Sequence, residues 1–471
     1  MLFERIEDTG LSHYSYIIGC QVKGEALIVD PRRDFDVYVD LAAQNEMKIV
    51  GILETHIHAD FASGARELGL VTGAPVYESR YDAGEVFEVQ FPHVDIEDGS
   101  VVRVGNIRVE ALHTPGHTPE HLSFLVYDEP RSKTVPMLFL TGDFLFVGSI
   151  GRPDLLGEEA KRDLAHRLYG SVQKIRSLPD SLEVHPAHGS GSMCGAGISG
   201  RPLSTLGFER IANPYLDPSL DEAAFVEKVL STVPPFPDYY RRMKRVNSDG
   251  APILEDLPGM QPLALETVEK LAGEGAVLID LRDPAAFGAG HVPGAFGIGA
   301  GPGSGSFSKW ASWVMPYDTP IVLIGRAGDR VSVEDAVRGL IRVQLDEVLG
   351  YLEGGMEAWQ AAGKPVQTLG QIDGATLERR LREGSVTVLD VREVGEFAEE
   401  HIAEALNIIT GELPKRLDQV PNSDREVAVL CGTGYRATVA ASVLQRAGFE
   451  RVLNVEGGLK AWKQADLPLT R

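Results

Sequence analysis

Cys431-Gly-Thr-Gly-Tyr-Arg436 follows the apolar run Val427-Ala-Val-Leu430 and leads into a helix-like stretch from Ala437 to Gln445. A buried strand that ends on a cysteine, turns through glycines and enters a helix is one unit of a parallel α/β fold. Gly432, Thr433, Gly434 and Tyr435 form the loop. Its amides and the positive end of the helix would converge on the sulfur and stabilise a thiolate. Arg436 adds a cation beside a bound anion. A cysteine so placed can attack a sulfane sulfur and hold it as a persulfide.

The same pattern occurs about a hundred residues earlier without its nucleophile, as Ile324-Gly-Arg-Ala-Gly-Asp-Arg330. Either Ile324 or Gly325 stands at the cysteine position. Counted from Ile324, this loop reaches its arginine one residue later than the loop of Cys431 does. The two stretches belong to a repeat. Asp280-Leu-Arg282, Phe287 and His291 recur 110 positions later as Asp390-Val-Arg392, Phe397 and His401. Glu353-Gly-Gly-Met-Glu-Ala-Trp359 recurs 103 positions later as Glu456-Gly-Gly-Leu-Lys-Ala-Trp462. The first copy is therefore about seven residues longer in its middle, where Gly301-Pro-Gly-Ser-Gly-Ser306 supplies the excess. Two copies of one α/β module are expected, over 256–366 and 367–471. Only the second can form a cysteinyl persulfide, so the first reads as a structural or docking domain. The repeated Asp–Arg pairs read as structural ion pairs and the repeated histidines as scaffold.

A different unit occupies residues 1–250. Tyr14–Ile18, Ala26–Asp30 and Ile49–Leu53 are short β-rich runs, with a helix expected from Asp34 to Asn45. More strands follow, which points to a two-sheet α/β sandwich. Four clusters of metal-ligand side chains each sit where a strand gives way to a loop: His56-x-His58-x-Asp60, His113-Thr-Pro-Gly-His117, Thr141-Gly-Asp143 and His185-Pro-Ala-His188. Six of the 12 histidines fall in these clusters, as a metal site at one edge of a sandwich requires. Cys194 follows closely in a Gly-rich loop and could handle sulfur at the mouth of such a site. Arg152 could bind a carboxylate or phosphate of a carrier thiol, or pair with Asp154. Residues 200–255 read as a helical extension of this unit, and Asn247–Pro252 as a linker.

The chain has 471 residues, 43% of them hydrophobic, enough for about three domains. Its net charge of −23 excludes nucleic acid and anionic membranes as natural partners. Three cysteines cannot form a disulfide framework. The N-terminus is acidic where a signal peptide would be basic and apolar, and no apolar run reaches membrane-spanning length. A cytoplasmic protein is expected.

The histidine motifs resemble those of the metallo-β-lactamase superfamily. That family's pattern is His-x-His-x-Asp-His, serving two metals, but here the last position is Phe61. A phenyl ring cannot ligate, although Asp60 and His188 remain. The resemblance, with Gly151-Arg-Pro-Asp154 and Ser204-Thr-Leu-Gly-Phe-Glu-Arg210, is to the persulfide dioxygenases within it. It implies an αββα sandwich holding one Fe(II) per chain on His56, His113 and Asp143, a facial set of two imidazoles and one carboxylate. His58 and Asp60 would then lie outside the ligand set or in a second site, with His188, Cys194 and Arg152 on the substrate side. The two repeats resemble rhodanese domains, the first inactive. Such a fusion implies a bifunctional sulfide-detoxification enzyme. A low-molecular-weight thiol persulfide and O2 would give sulfite, and Cys431 would pass sulfur to sulfite to make thiosulfate. A homo-oligomer, dimer or tetramer, is also implied. The alternatives are a glyoxalase-II-like thioester hydrolase using zinc and a non-enzymatic sulfur carrier.

Overall fold

In the computed structural model, which describes residues 1–301, 306–421 and 425–470, the chain forms two compact units. The first consists of Met1–Ile253 together with Ile341–Gln344, and the second of Leu254–Leu340 and Leu345–Arg471.

The first unit is an αββα sandwich. One sheet runs in chain order through β1 (Leu2–Asp8), β2 (His13–Cys20), β3 (Glu25–Val29), β4 (Lys48–Leu53), β5 (Val76–Ser79) and β6 (Val94–Ile96), antiparallel up to β3 and parallel beyond it. The other has the order β14-β13-β10-β9-β8-β7, from β7 (Val101–Val104), β8 (Ile107–His113), β9 (Leu122–Asp128), β10 (Leu138–Gly142), β13 (Glu183–Pro186) and β14 (Ser204–Thr205). A small hairpin, β11 (Leu145–Phe146) with β12 (Ser149–Ile150), lies between β10 and β13 in sequence.

Three apolar layers hold these sheets. Val104, Val109, Phe124 and Val126 meet Ile18, Leu27 and Val29 between the sheets. Along β8 the inward residues Ile107, Val109 and Ala111 alternate with half-buried Arg108 and Glu110, the period expected of a strand with one face in a core. Helices α1 (Asp36–Gln44) and α2 (Ala65–Thr72) cover the outer face of the first sheet through Tyr38, Ala42 and Leu68. Helices α3 (Lys161–Lys174) and α5 (Glu222–Ser231) cover the second through Leu168, Val172 and Phe225, with α4 (Leu206–Ala212) contributing Leu206. The residues read as a linker from Asn247 instead begin in helix α6 (Tyr239–Asp249), whose side chains Tyr240, Met243, Lys244 and Asn247 are buried.

The second unit contains the repeat. Its sheets have the same five-stranded parallel order. Val277–Asp280 is flanked by Phe296–Gly297 and Ile321–Ile324, and Val386–Asp390 by Leu406–Asn407 and Glu426–Leu430. The repeated residues are scaffold in both copies. Asp280 takes the Arg282 fork at 2.9 and 2.6 Å, and Asp390 takes that of Arg392 at the same distances. His291 and His401 stack on Phe287 and Phe397 and donate to their carbonyl oxygens at 2.9 Å. Of the stretch Gly301–Ser306 that supplies the surplus in the first copy, residues 302–305 lie outside the described residues.

Candidate functional site

His56, His117 and Asp143 converge in the first unit, each at most 2% exposed, with one potential ligand atom from each within 4.8 Å of the others. The Asp143 Oδ2 atom lies 3.4 Å from His117 Nε2 and 3.7 Å from His56 Nε2. All three atoms are buried without a hydrogen-bond partner. Buried polar atoms are normally satisfied, so three orphans facing one point fit a metal ion.

The opposite sides of these groups are fully engaged. Thr55 Oγ1 bonds His56 Nδ1 at 2.9 Å and itself donates to Asp30. His117 Nδ1 donates to the Arg152 carbonyl at 2.9 Å, and His188 Nδ1 to Asp143 Oδ1 at 2.6 Å. Such outer partners fix which nitrogen or oxygen is left to ligate. Burial and neighbouring imidazoles push His56 and His117 well below the ordinary histidine value, leaving neutral rings with a free lone pair. Burial also opposes charge on His188, but Asp143 and Asp60 prevail and raise it to about 10.

His113, expected as a ligand, is elsewhere. Its ring stacks on Tyr81 at 3.8 Å and its Nε2 bonds the Pro119 carbonyl at 2.9 Å. The reason is local. His113 is still the last residue of β8, whereas His56 and His117 lie in loops beyond the strand ends. Gly116, at φ 144°, carries the chain round against α3, where a Cβ would come within 2.4 Å of Leu168. His117 is thereby turned into the site.

Arg152, expected on the substrate side, has its guanidinium fully committed. It forks onto Asp154 at 2.6 and 2.8 Å and donates to the carbonyls of Met193, Pro234 and Pro235. It clamps loops and has no donor left for a carrier. His185 also faces away, against Glu183 and the ring of Phe3. His58 turns towards Asp30 and Glu54, at 3.3 and 3.2 Å, and these carboxylates overcome burial to raise its pKa. Asp60, His188 and Cys194 form a second buried group beside the first, with Asp60 Oδ2 2.7 Å from His188 Nε2. The Cys194 sulfur is 3.7 Å from the Tyr240 hydroxyl, and burial pushes its thiol up. Phe61 occupies the place of the missing ligand. It is buried and packs at 4.0 Å against His13 and 4.5 Å against His58.

Several residues that shape the site carry no motif. The loop from His56 to Ser63 has almost no regular structure, so its backbone groups need partners from outside. Asn247 donates to the carbonyls of His58 and Phe61 and accepts from the Ser63 amide. Lys244 donates to the Ile57 carbonyl, and Glu120 accepts from the Ile57 amide. His121 Nε2 accepts from the Asp143 amide at 3.0 Å. The one available signal was the pair of basic and amide side chains three residues apart on an otherwise largely apolar helical face.

In the second unit Cys431 is 1% exposed at the end of its strand, and its sulfur accepts from the Gly434 amide at 3.0 Å. The following helix, Tyr435–Arg446, begins at the next residue. The repeated Gly-Gly pair lies against this loop. A Cβ at Gly458 would be 2.3 Å from the Cys431 carbonyl oxygen, which accepts from the Leu459 amide. Arg436 is held in a fork by Glu396 at 2.6 and 2.9 Å, and the Tyr435 hydroxyl donates to the Gly299 carbonyl. Strand register settles the counterpart of the cysteine. Leu430 pairs with Asp390 as Ile324 pairs with Asp280, so Gly325 stands at the position of Cys431. The two loops are therefore equally long, and the extra residue counted from Ile324 belongs to the strand.

Residues 8–188 match the metallo-β-lactamase superfamily, and residues 264–362 and 373–465 each match the rhodanese-like domain. A metallo-β-lactamase structure from Staphylococcus aureus subsp. aureus COL is 35% identical, covers 75% of this chain and 99% of its own, and superposes with a TM-score of 0.66. A hydroxyacylglutathione hydrolase from Francisella tularensis subsp. novicida (strain U112) is 29% identical over 182 residues, 38% of this chain. The chain spans about 64% of the length of that relative. An Aquifex aeolicus (strain VF5) protein is 33% identical over 214 residues, 42% of this chain and 89% of its own. With its sandwich, its histidine clusters and these matches, the chain belongs to the metallo-β-lactamase superfamily and joins that fold to two rhodanese-like domains.

Proposed function

We propose that the chain is a bifunctional sulfur enzyme, divided into a persulfide dioxygenase domain (1–250), an inactive rhodanese-like domain (256–366) and an active one (367–471). The observation that carries this reading is the buried two-histidine, one-carboxylate set His56, His117 and Asp143, with Phe61 at the motif position of a further ligand. Two imidazoles and one carboxylate suit one Fe(II), which when bound supplies open positions for a thiolate-type sulfur and O2. The protein's own groups do the rest. His188 keeps its Nδ1 proton on Asp143 Oδ1, which leaves Oδ2 free to ligate. His117 is fixed with Nε2 inward by the Arg152 carbonyl. Phe61, which offers no ligand atom, packs against the rings of His13 and His58.

The overall oxidation is R–S–SH + O2 + H2O giving R–SH, sulfite and two protons. At Cys431 the thiolate attacks the outer sulfur of a second persulfide, R–SH leaves, and a cysteinyl persulfide forms. Sulfite then attacks the outer sulfur of that persulfide, giving thiosulfate and returning the thiolate. The Gly434 amide, 3.0 Å from the sulfur, is placed to steady the anion at both stages. The test is anaerobic purification, elemental analysis and persulfide-dependent oxygen uptake. One iron per chain with oxygen consumption is expected, with His117→Ala losing the metal and His113→Ala retaining it. Two zinc ions per chain with thioesterase activity would replace this reading by that of a glyoxalase-II-like hydrolase, the activity named for the Francisella relative.

A further inference from the structure

The loop that leads from His56 through Asp60 is held at one more point. The Ala62 amide donates to the Arg342 carbonyl oxygen at 2.7 Å. Arg342 belongs to the tetrapeptide Ile341–Gln344, which begins at the last residue of helix Arg330–Ile341 in the sequence of the first rhodanese-like copy but is part of the first compact unit. The tetrapeptide is fastened at each end and in the middle. Arg33 donates to the Ile341 carbonyl at 3.3 Å, and Arg242 donates to Gln344 Oε1 at 2.5 Å. The Arg342 guanidinium forks onto Asp34 at 2.8 and 2.5 Å and reaches Asp8 at 3.2 Å. Both aspartates are buried, at 4% and 3% exposure. A two-pronged fork on a buried carboxylate fixes orientation as well as attracting charge.

What Ala62 sets is passed on. Asp60, two residues before it, meets His188 Nε2 at 2.7 Å, and His188 Nδ1 holds Asp143 at 2.6 Å. We propose that Arg342 is a positioning residue for the metal centre. By locking its own tetrapeptide onto Asp8 and Asp34, it presents a carbonyl to Ala62 and so sets the loop that orients Asp60, His188 and Asp143. The copy without a cysteine then has a task that needs no sulfur chemistry, because four of its residues complete the frame of the metal unit. This role rests on the function proposed above only where metal and activity are measured.

The full-length chain is compared as wild type, Arg342→Ala and Arg342→Lys. Hydrogen exchange of the segment containing Ala62 is read first, and it needs no metal. In Arg342→Ala, protection of that segment is expected to fall about tenfold or more. Retention of whichever ion the wild type carries should weaken about 10–100-fold, the usual effect of losing an outer partner of a metal ligand. The iron signal with nitric oxide as probe should broaden, while sulfur transfer at Cys431 stays at the wild-type rate. Arg342→Lys keeps the charge without the fork and should recover part of each loss. Unchanged exchange and metal retention in Arg342→Ala would overturn the role. If that variant does not fold, wild-type exchange in Arg342→Lys overturns it and partial loss supports it. A wild type that binds no metal would defeat the dioxygenase reading while leaving the exchange measurement to decide the role of Arg342.

Discussion

The two rhodanese-like copies share a scaffold atom for atom in places, yet differ at the one loop where chemistry is possible. Gly325-Arg-Ala-Gly-Asp-Arg330 and Cys431-Gly-Thr-Gly-Tyr-Arg436 have equal length and follow strands in the same register. In the second copy the helix starts at Tyr435, the Gly434 amide reaches the sulfur, and Glu396 holds Arg436. In the first copy the helix starts one residue later, and the Asp329 carboxylate accepts from the Ser332 amide at its entrance. Ala286 stands where the second copy has Glu396, and Arg326 pairs with Asp283. The first copy thus differs from the second in more than the sulfur. A carboxylate now occupies the helix end that would otherwise favour a thiolate.

The sharpest break in this comparison is Cys431→Ser. It is expected to reduce thiosulfate formation and protein persulfide to background, while persulfide-dependent oxygen uptake continues. Oxygen uptake that stops as fully as in His117→Ala would remove the division of labour between the units.

Next come the shared parts. Asp280→Asn and Asp390→Asn each leave a buried arginine without its charge partner, and each should cost about 3–5 kcal/mol in urea unfolding. Near-equal losses would confirm that the copies are matched as scaffolds. A much smaller loss in the first copy would mean that its ion pair is already dispensable.

A smaller effect separates the loops. Gly325 has room for a side chain, its nearest neighbour to an added Cβ being Val333 at 4.0 Å. In a Cys431→Ser background, Gly325→Cys should give only weak persulfide formation by mass spectrometry and weak thiosulfate:cyanide transfer. Adding Asp329→Tyr should raise the rate about three- to tenfold, in line with about 1 kcal/mol for a charge at a helix N-terminus. Robust transfer from Gly325→Cys alone would show an intact sulfur site lacking only its nucleophile.

The smallest difference is in acid. Burial opposes charge on Glu396, but Arg436 prevails and holds its carboxyl below the usual glutamate range. A lowered carboxylate contributes stability that is present above its unfolded value, about 4.3, and is lost as pH falls towards and through the folded one. Glu396→Ala should therefore flatten the decline in stability below about pH 4.5, and Ala286→Glu in the first copy should not reproduce it. The two acid limbs of thermal melting provide the comparison.

Much of this was legible from residues alone. The repeat was visible because ion-pair and stacking residues recur at fixed spacing, and the sandwich because strands end on ligand-type side chains. What escaped depended on where a strand stops. His113 and His117 share one short motif, and only the end of β8 at His113 with the turn at Gly116 decides between them. Ile324 and Gly325 differ in the same way, by one position of register. Lys244 and Asn247 were invisible as site residues because their partners, Ile57, His58 and Phe61, are more than 180 residues away in sequence. Arg152 illustrates the reverse, a cation with the look of a ligand-binding group that carbonyls and Asp154 consume.

Cys431 is almost completely sheltered, with only 1% of its surface accessible. A sulfur atom carried there, as proposed, would be insulated from the bulky thiols of other proteins and open only to donors and acceptors of a few atoms. On the function proposed above, the consequence would be a molecular-size filter: small thiol persulfides and sulfite would reach the sulfur, and folded proteins that carry sulfur would not.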